Sequence, residues 1–560
     1  MTLSQHDPVS PEAVPQGTLT THTLAPGAIY PGVTHEYQVY VPAQYDPARP
    51  APSMVFLDGA WVYLAKMRAA EILDQAIAAG HIPPLIGIFV DPGWYPVADP
   101  ETQQARMNRH VEYDALTPTF ARFLTEELLP EVAKDYPLST DPNDRGIVGL
   151  SSGAIGSFIA GWHPPHHFRR MYISICTFVD MLGAHSLPIW VRKTEPRPLR
   201  IFQQETTDDN DRLWGNWPQG NAQMAEALVF SHYDAQFIVG PGIHDFDHAT
   251  EVMPEALRWL WRDYPAPITA ATTGPIFEAL LIPEEGWELL WERTDEAAAP
   301  APELLAAADR DGRLWIADPA AGRLILLNAD GSSETIAEET GRITALAVGP
   351  DDRLYASQPD QARIVAYGAN GNVRIVAEGI EARALTLTAS GQVMCTNPAQ
   401  GIISVLSPDG TRRDYRGDGL REPSALALSP DQIFLAVLDQ TGIWGWSFRV
   451  TPEGELRDGQ PFYRVLPDEA DPTVRAAAIT IDTTGDLYIP NAGGITLVTQ
   501  SGRTRETINA PGPAMVTSVT FGGPQRDWLI AAQGGRVFRR RIQRQGAAAW
   551  QPVQPPPPRV

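Results

Sequence analysis

The sequence predicts a two-domain chain: a mostly parallel β-sheet covered by helices on both faces, followed by an all-β six-bladed propeller. Three observations carry this. Up to about residue 265, short apolar runs ending in glycine alternate with helix-patterned segments, as buried parallel strands and their crossovers do. Beyond that point helical patterning vanishes and a strand-turn-strand unit recurs six times, with a period of roughly 40 to 50 residues. The length, 560 residues, is too great for a single hydrophobic core.

In order along the first half, HEYQVYVPAQY (35–45) alternates as a strand does, and SMVFLDG (53–59) and LIGIFVDPG (85–93) read as buried strands. TPTFARFLTEELLPEVAKDY (117–136) has helical spacing, with Pro118 suited to a first turn. RGIVGLSS, RMYISICTFV, RPLRIFQQE and DAQFIVGPG supply four further strands, and HATEVMPEALRWLWRDY (248–264) closes as an amphipathic helix. Residues 1–15 read as a flexible N-terminus, 16–265 as the first domain, and 266–300 as a linker with a lead-in strand. The propeller is placed at 301–545. Its repeats start at Arg310, Pro350, Ala389, Pro430, Thr483 and Gln525, and the proline-rich stretch 546–560 reads as an extended or disordered tail.

The formal net charge of −24 argues against nucleic acid or an anionic membrane surface as partner, because like charges repel. Cys176 and Cys395 are the two cysteines and make no disulfide framework. The first residues lack the basic and apolar regions of a secretory signal, and no apolar run reaches the ~20 residues that span a bilayer. These readings predict a soluble, cytoplasmic protein and leave homo-oligomer formation open.

The stretch GIVGLSSGAIGSF (146–158) places Ser151 between Gly149 and Gly153 at the end of a predicted strand. In a nucleophile elbow a strand turns sharply into a helix and leaves a serine hydroxyl exposed, and only glycines fit two residues either side. Such a serine needs a base, an acid that orients the base, and donors for an oxyanion. In an α/β-hydrolase these follow in the order Ser, Asp or Glu, His. Here the strand RPLRIFQQE leads into an acidic loop with Asp208, Asp209 and Asp211, and the last strand leads through Gly240 and Gly242 to His244. His248 is a competing base and Glu205 a further candidate acid. The cluster His244, Asp245, Asp247 and His248 carries ligand types that bind metals, but it reads better as a hydrophilic loop before a helix, so no metal is assigned.

With YVPAQYDP, VFLDGAW, FARFLTEELLPEV, GLSSGAIGSF, GNWPQGN and GIHDFDHATEVMPEALRWLW, residues 15–265 resemble the esterase-D/enterochelin-esterase group of α/β-hydrolases, which includes feruloyl and acetylxylan esterases. The resemblance implies Ser151 as nucleophile, His244 as base and, counting back from Gly215-Asn216-Trp217, Asp209 as acid. It implies oxyanion donors at the backbone N–H groups of Ser152 and of Gly59, Ala60 or Trp61. Glu112 (beside Asp114) is expected to border the pocket, and Trp61, Trp94, Trp214, Trp217 and His248 are candidate substrate contacts. The expected substrate is a small-molecule or oligosaccharide ester (acyl-carbohydrate, aryl/feruloyl or siderophore-type), and no cofactor is implied.

Residues 275–545 resemble the gluconolactonase/regucalcin propellers, which hold a divalent cation on the central axis. The ligand positions depart from that pattern: Ser424 follows Pro423 where the family has asparagine, Ala477-Ala478 replace an Asp-Gly, Arg383-Ala384 replace an Asn-Asp, and Glu303 stands outside a Glu-Gly-Pro motif. A hard cation needs several oxygen ligands, so the propeller is expected to be catalytically silent and to aid substrate binding or assembly. The rival readings are a metal-dependent lactonase in the propeller, or a non-enzymatic scaffold that binds a glycan or a partner.

Overall fold

The computed structural model describes residues 14–99, 101–164, 166–293, 303–328, 331–465, 476–491 and 493–558. The chain divides into two compact units: residues up to 274 without 193–195, and residues 193–195 with 275–560.

The first unit is built on an eight-stranded sheet: β1 (Thr18–Leu24), β2 (His35–Val41), β3 (Ser53–Leu57), β4 (Ile86–Val90), β5 (Arg145–Leu150), β6 (Arg170–Ser174), β7 (Arg200–Thr206) and β8 (Asp234–Gly240). Their spatial order is β1-β2-β4-β3-β5-β6-β7-β8. Only β2 runs against the rest: it pairs antiparallel with both β1 and β4, and every pair from β4 to β8 is parallel. The inner strands are buried on both faces, and period-2 alternation sorts their side chains. Val55, Leu57, Ile147, Ile173 and Ile201 pack with Ile155, Phe158 and Ile159 of the helix Ser152–Trp162. Met54, Phe56, Val148, Tyr172 and Phe202 turn the other way, onto Leu73 and Ile77 of Ala69–Ala78 and Met253 and Leu257 of Asp247–Leu260. Each such side chain contributes about 1.5–3 kcal/mol by leaving water. The first strand, missed by sequence patterning, is an exposed antiparallel edge with no apolar face to advertise it.

In the second unit the described residues form six four-stranded antiparallel sheets. Each of the six repeats turns out to be the middle hairpin of a blade. The unit at Arg310, for example, holds Leu314–Asp318 and Arg323–Leu327, flanked by the inner strand Leu305–Ala308 and the outer strand Ser333–Ala337. The hairpin turns are fixed by aspartate and glycine. Asp482 Oδ1 accepts the N–H groups of Thr484 and Asp486, and Gly485 supplies the φ of +82° that closes the turn. The sixth sheet joins Val516–Gly522, Trp528–Gln533 and Arg536–Arg541 to Glu288–Glu292, so its outer strand comes from the start of the unit.

Two boundaries differ from the sequence reading. The second unit begins at Pro275 rather than 301, because Ile276, Phe277, Leu280 and Leu281 bury their side chains against propeller residues such as Val519 and Leu529. The tail is not free at its start: Ala547, Ala548, Ala549 and Trp550 line the central cavity of about 150 Å³ together with the inner strands. Arg526 holds them there, donating to the carbonyls of Gly546 and Ala547 and lying over the Trp550 ring. Of the expected flexible N-terminus, residues 1–13 lie outside the described residues. No helix among the described residues is long and apolar enough to cross a membrane.

Candidate active site

Three strand ends of the first unit converge on Ser151. It follows β5 with φ 57° and ψ −123°, a conformation costly for a non-glycine residue and found mainly where the surroundings enforce it. Those surroundings are the two glycines. A Cβ on Gly149 would run into the carbonyl of Gly153 and lie 2.6 Å from Ser157 Oγ, and one on Gly153 would lie 3.2 Å from Asp58 Oδ2. The serine N–H bonds the carbonyl of Ser174 at the end of β6, and the helix Ser152–Trp162 begins at the next residue.

His244 follows β8 and places Nε2 2.9 Å from Ser151 Oγ. Its Nδ1 lies 2.5 Å from Asp209 Oδ1, on the loop after β7. That loop is laced to the end of β8 by N–H groups of Thr207 and Asp208 bonding the carbonyls of Gly240 and Gly242. The Asp209 carboxylate is fully buried and the imidazole largely so. Trp217, buried at the start of the helix Trp217–Phe230, sets its ring edge against the imidazole with centroids 5.7 Å apart. Asp208 accepts from Thr207 Oγ1, and Asp211 is exposed in a two-residue ribbon. Neither is bonded to His244. His248 is turned away, with Nδ1 2.8 Å from Gln204 Nε2.

Several sequence expectations need correction. The Ala60 N–H, a candidate oxyanion donor, is already taken by Asp91 Oδ1 at 3.0 Å. Gly59 brings this loop against β4, where a Cβ would strike the Phe89–Val90 backbone. Glu112 does not border a pocket: its buried carboxylate accepts from the Gly93 N–H and Asn108 Nδ2 and lies 3.0 Å from His35 Nε2, fastening two loops to the start of β2. Trp94 pairs with Met107 and lines a shallow cleft with Pro96, Val97 and Gln103, a set that includes none of Ser151, Asp209 and His244. Trp214 is half exposed, in the same loop as Asp209.

Sequence reasoning missed Thr177, whose hydroxyl lies 3.2 Å from Ser151 Oγ. The one signal for it was its place just after β6, the strand beside the elbow. It also missed Arg109, which grips Asp58 with two hydrogen bonds of 3.0 and 2.7 Å behind Gly153. Burial, and then the charges of Asp58 and Glu36, raise the Asp91 carboxyl to about 6 against the pull of the Ala60 N–H. Burial, and then the hydrogen bond with Asp209, push the Glu205 carboxyl up to about 9.

In the propeller the positions that answer to the family's ligands offer little to a cation. Arg383 donates to the Thr344 carbonyl, Ser424 Oγ to the Leu438 carbonyl, and Ala477 brings only a methyl group. Glu303 accepts from Thr517 Oγ1, and among the described residues no group of three His, Cys, Asp or Glu side chains could hold an ion. These residues do not fit a family-type divalent cation.

An eight-stranded sheet in this order with a serine at the turn after its fifth strand defines an α/β-hydrolase, and the second unit is a six-bladed propeller. Residues 31–236 match the family model described as a putative esterase, and residues 302–532 match that of the SMP-30/gluconolactonase/LRE-like region. The iron(III) enterobactin esterase of Dickeya dadantii (strain 3937) is 30% identical over 225 residues, which are 37% of this chain and 47% of that protein. The chain thus spans about half the length of the curated relative it matches. A gluconolactonase structure from Xanthomonas campestris, XC5397, is 20% identical with a TM-score of 0.41, covering 48% of this chain and 94% of its own. The enterobactin esterase FES from Shigella flexneri, solved with enterobactin, is 16% identical with a TM-score of 0.36, covering 46% of this chain and 63% of its own.

Proposed function

We propose that the protein is a serine hydrolase that cleaves carboxylic esters. The observation that supports this above all is the relay from Ser151 Oγ through His244 to Asp209, at 2.9 and 2.5 Å, mounted on an elbow. His244 Nε2 takes the hydroxyl proton as Ser151 Oγ attacks the ester carbonyl. Asp209 accepts from Nδ1–H, fixes the tautomer and stabilises the imidazolium. The developing oxyanion is held by the N–H of Ser152, at the positive end of its helix, with Gly59 or Trp61 across from it. The imidazolium returns its proton to the leaving alcohol, and water, deprotonated by His244, then releases the acid from the acyl-enzyme.

Exposed apolar residues sit beside the loops that carry the relay: Trp61, Leu213, Trp214 and Ile243. They favour an aryl or otherwise apolar acyl group among the acyl-carbohydrate, feruloyl and siderophore-type esters the resemblance allows. The propeller is read as catalytically silent, because Ala477 and Arg383 stand at positions where the family carries ligands, and Arg383 is turned to the Thr344 carbonyl. Labelling with a fluorophosphonate tests the proposal. Wild type should label on Ser151 and lose esterase activity in step, and Ser151→Ala should neither label nor hydrolyse.

A further inference from the structure

Behind Asp209 lies a second carboxyl that the relay does not use. Glu205 ends its side chain inside β7, 1% exposed, within hydrogen-bond reach of Asp209. Each of the two carboxyls has one oxygen engaged: Glu205 Oε1 accepts the Thr206 N–H at 2.7 Å, and Asp209 Oδ1 is held by His244 and the Asn210 N–H. The other oxygens, Glu205 Oε2 and Asp209 Oδ2, are buried with no donor facing them. As two carboxylates they could only repel and would both stay unsatisfied, a cost buried polar groups do not normally bear. A single proton between them satisfies both.

We propose that Glu205 is a neutral carboxylic acid that donates its proton to Asp209 Oδ2, and so acts as a positioning residue for the relay. The inference rests on Asp209 being the triad acid, as read above. Glu205 fixes the carboxylate so that Oδ1 stays on His244 Nδ1, and it keeps the pair at one negative charge. The surrounding titratable groups agree. Thr206 follows it in β7, Asp209 faces it from the loop that comes next, and His244 lies beyond Asp209. The buried Cys176 after β6 has its thiol pushed well up by burial and then by the charge Glu205 would carry. Burial and Asp209 together raise Glu205 to about 9, so Glu205 keeps its proton at neutral pH.

The test uses the full chain and two variants, with p-nitrophenyl acetate as substrate. Glu205→Gln keeps a donor of the same shape without a titrating proton; Glu205→Leu keeps the bulk and removes the donor. We expect Glu205→Gln to hold kcat within about threefold of wild type at pH 7 and to lack the fall in kcat at alkaline pH that wild type should show as Glu205 ionises. Glu205→Leu should lower kcat by about tenfold to a hundredfold with KM little changed, the loss typical of a hydrogen bond to a charged group. Infrared difference spectra at pH 7 should show a neutral-acid carbonyl band in wild type and in Ser151→Ala that is absent from Glu205→Gln. The band reports the proton whether or not Ser151 is the nucleophile. Activity surviving in Ser151→Ala beside an intact band would refute the triad assignment while leaving the carboxyl pair standing. Absence of the band would overturn the proposal. So would a folded Glu205→Leu enzyme with the wild-type rate and pH profile, or a Glu205→Gln enzyme as impaired as Glu205→Leu.

Discussion

Gly149→Ala should cripple the enzyme through one methyl group. The added Cβ would overlap the Gly153 carbonyl and sit 2.6 Å from Ser157 Oγ, whereas real Cβ atoms keep at least 3.0 Å from their neighbours. Neither obstacle is the end of a flexible chain. One is backbone in the first turn of the elbow helix, and the other belongs to a fully buried serine. The strand and the helix must therefore separate by roughly 1 Å, and Ser151 lies between them. A displacement of about 1 Å at a reacting group costs on the order of a hundredfold in rate, and overpacking costs about 1–3 kcal/mol of stability. Gly146→Ala is the control, because its Cβ meets only the flexible Met54 side chain, at 3.2 Å. Steady-state kinetics with p-nitrophenyl acetate, alongside thermal melts, give the comparison. The expected result is a fall in kcat of about a hundredfold for Gly149→Ala and little change for Gly146→Ala. A folded Gly149→Ala enzyme within about fivefold of wild type would refute the packing argument.

Four further outcomes are expected. Ser151→Ala should lose activity by up to about a million-fold without unfolding, measured by kcat and circular dichroism. Asp209→Asn should lose about ten-thousand-fold, and Asp208→Asn and Asp211→Asn only a little; a crippling Asp208→Asn would move the acid by one residue. Asp91 has a folded-state value near 6, above its ordinary 3.8, so the folded protein binds that proton more tightly. Its contribution to stability is therefore complete below about pH 4 and lost as pH rises through 6. Asp91→Asn should melt above wild type at pH 7 to 8, by on the order of 1 kcal/mol after solvent screening, and match it at pH 4. Exhaustive EDTA treatment should leave ester hydrolysis unchanged; a lactonase activity that dies with EDTA and survives Ser151→Ala would make the propeller a second active site.

The relay was unusually legible because its members sit where chain order and strand ends predict them. Ser151 is announced by its glycines and His244 by the end of the last strand. The carboxylate that meets His244 was harder to choose: Asp208, Asp209 and Asp211 share a loop, and what separates them is its lacing to Gly240 and Gly242, which buries only the Asp209 carboxylate beside His244. Glu112 misled because its chemistry suits a pocket, and only the fold reveals that His35, Gly93 and Asn108 already use it. Ala60 misled for the same reason, its N–H being spent on a residue 31 positions away. The propeller's repeats were visible as middle hairpins, since those strands are apolar runs buried along nearly their whole length and set off by turns. The inner strands, rich in alanine, left no comparable pattern.

The sixth propeller sheet has a consequence for how the chain reaches its folded state. Glu288 pairs with Arg539, 251 residues later. Closing so long a loop adds little to the equilibrium cost, because each doubling of length is worth only about 0.6 kcal/mol. Its effect falls on time, since non-local pairings slow folding far more than they weaken the product. During synthesis the sheet of the first unit has all its strands once Gly240 has emerged, whereas the edge strand Glu288–Glu292 must wait, unpaired, for nearly the whole remaining chain. That interval, with an open strand edge and an unclosed ring, is when the protein is most exposed to aggregation. A pause in translation or a shortage of chaperones should therefore be felt in the propeller before it is felt in the first unit.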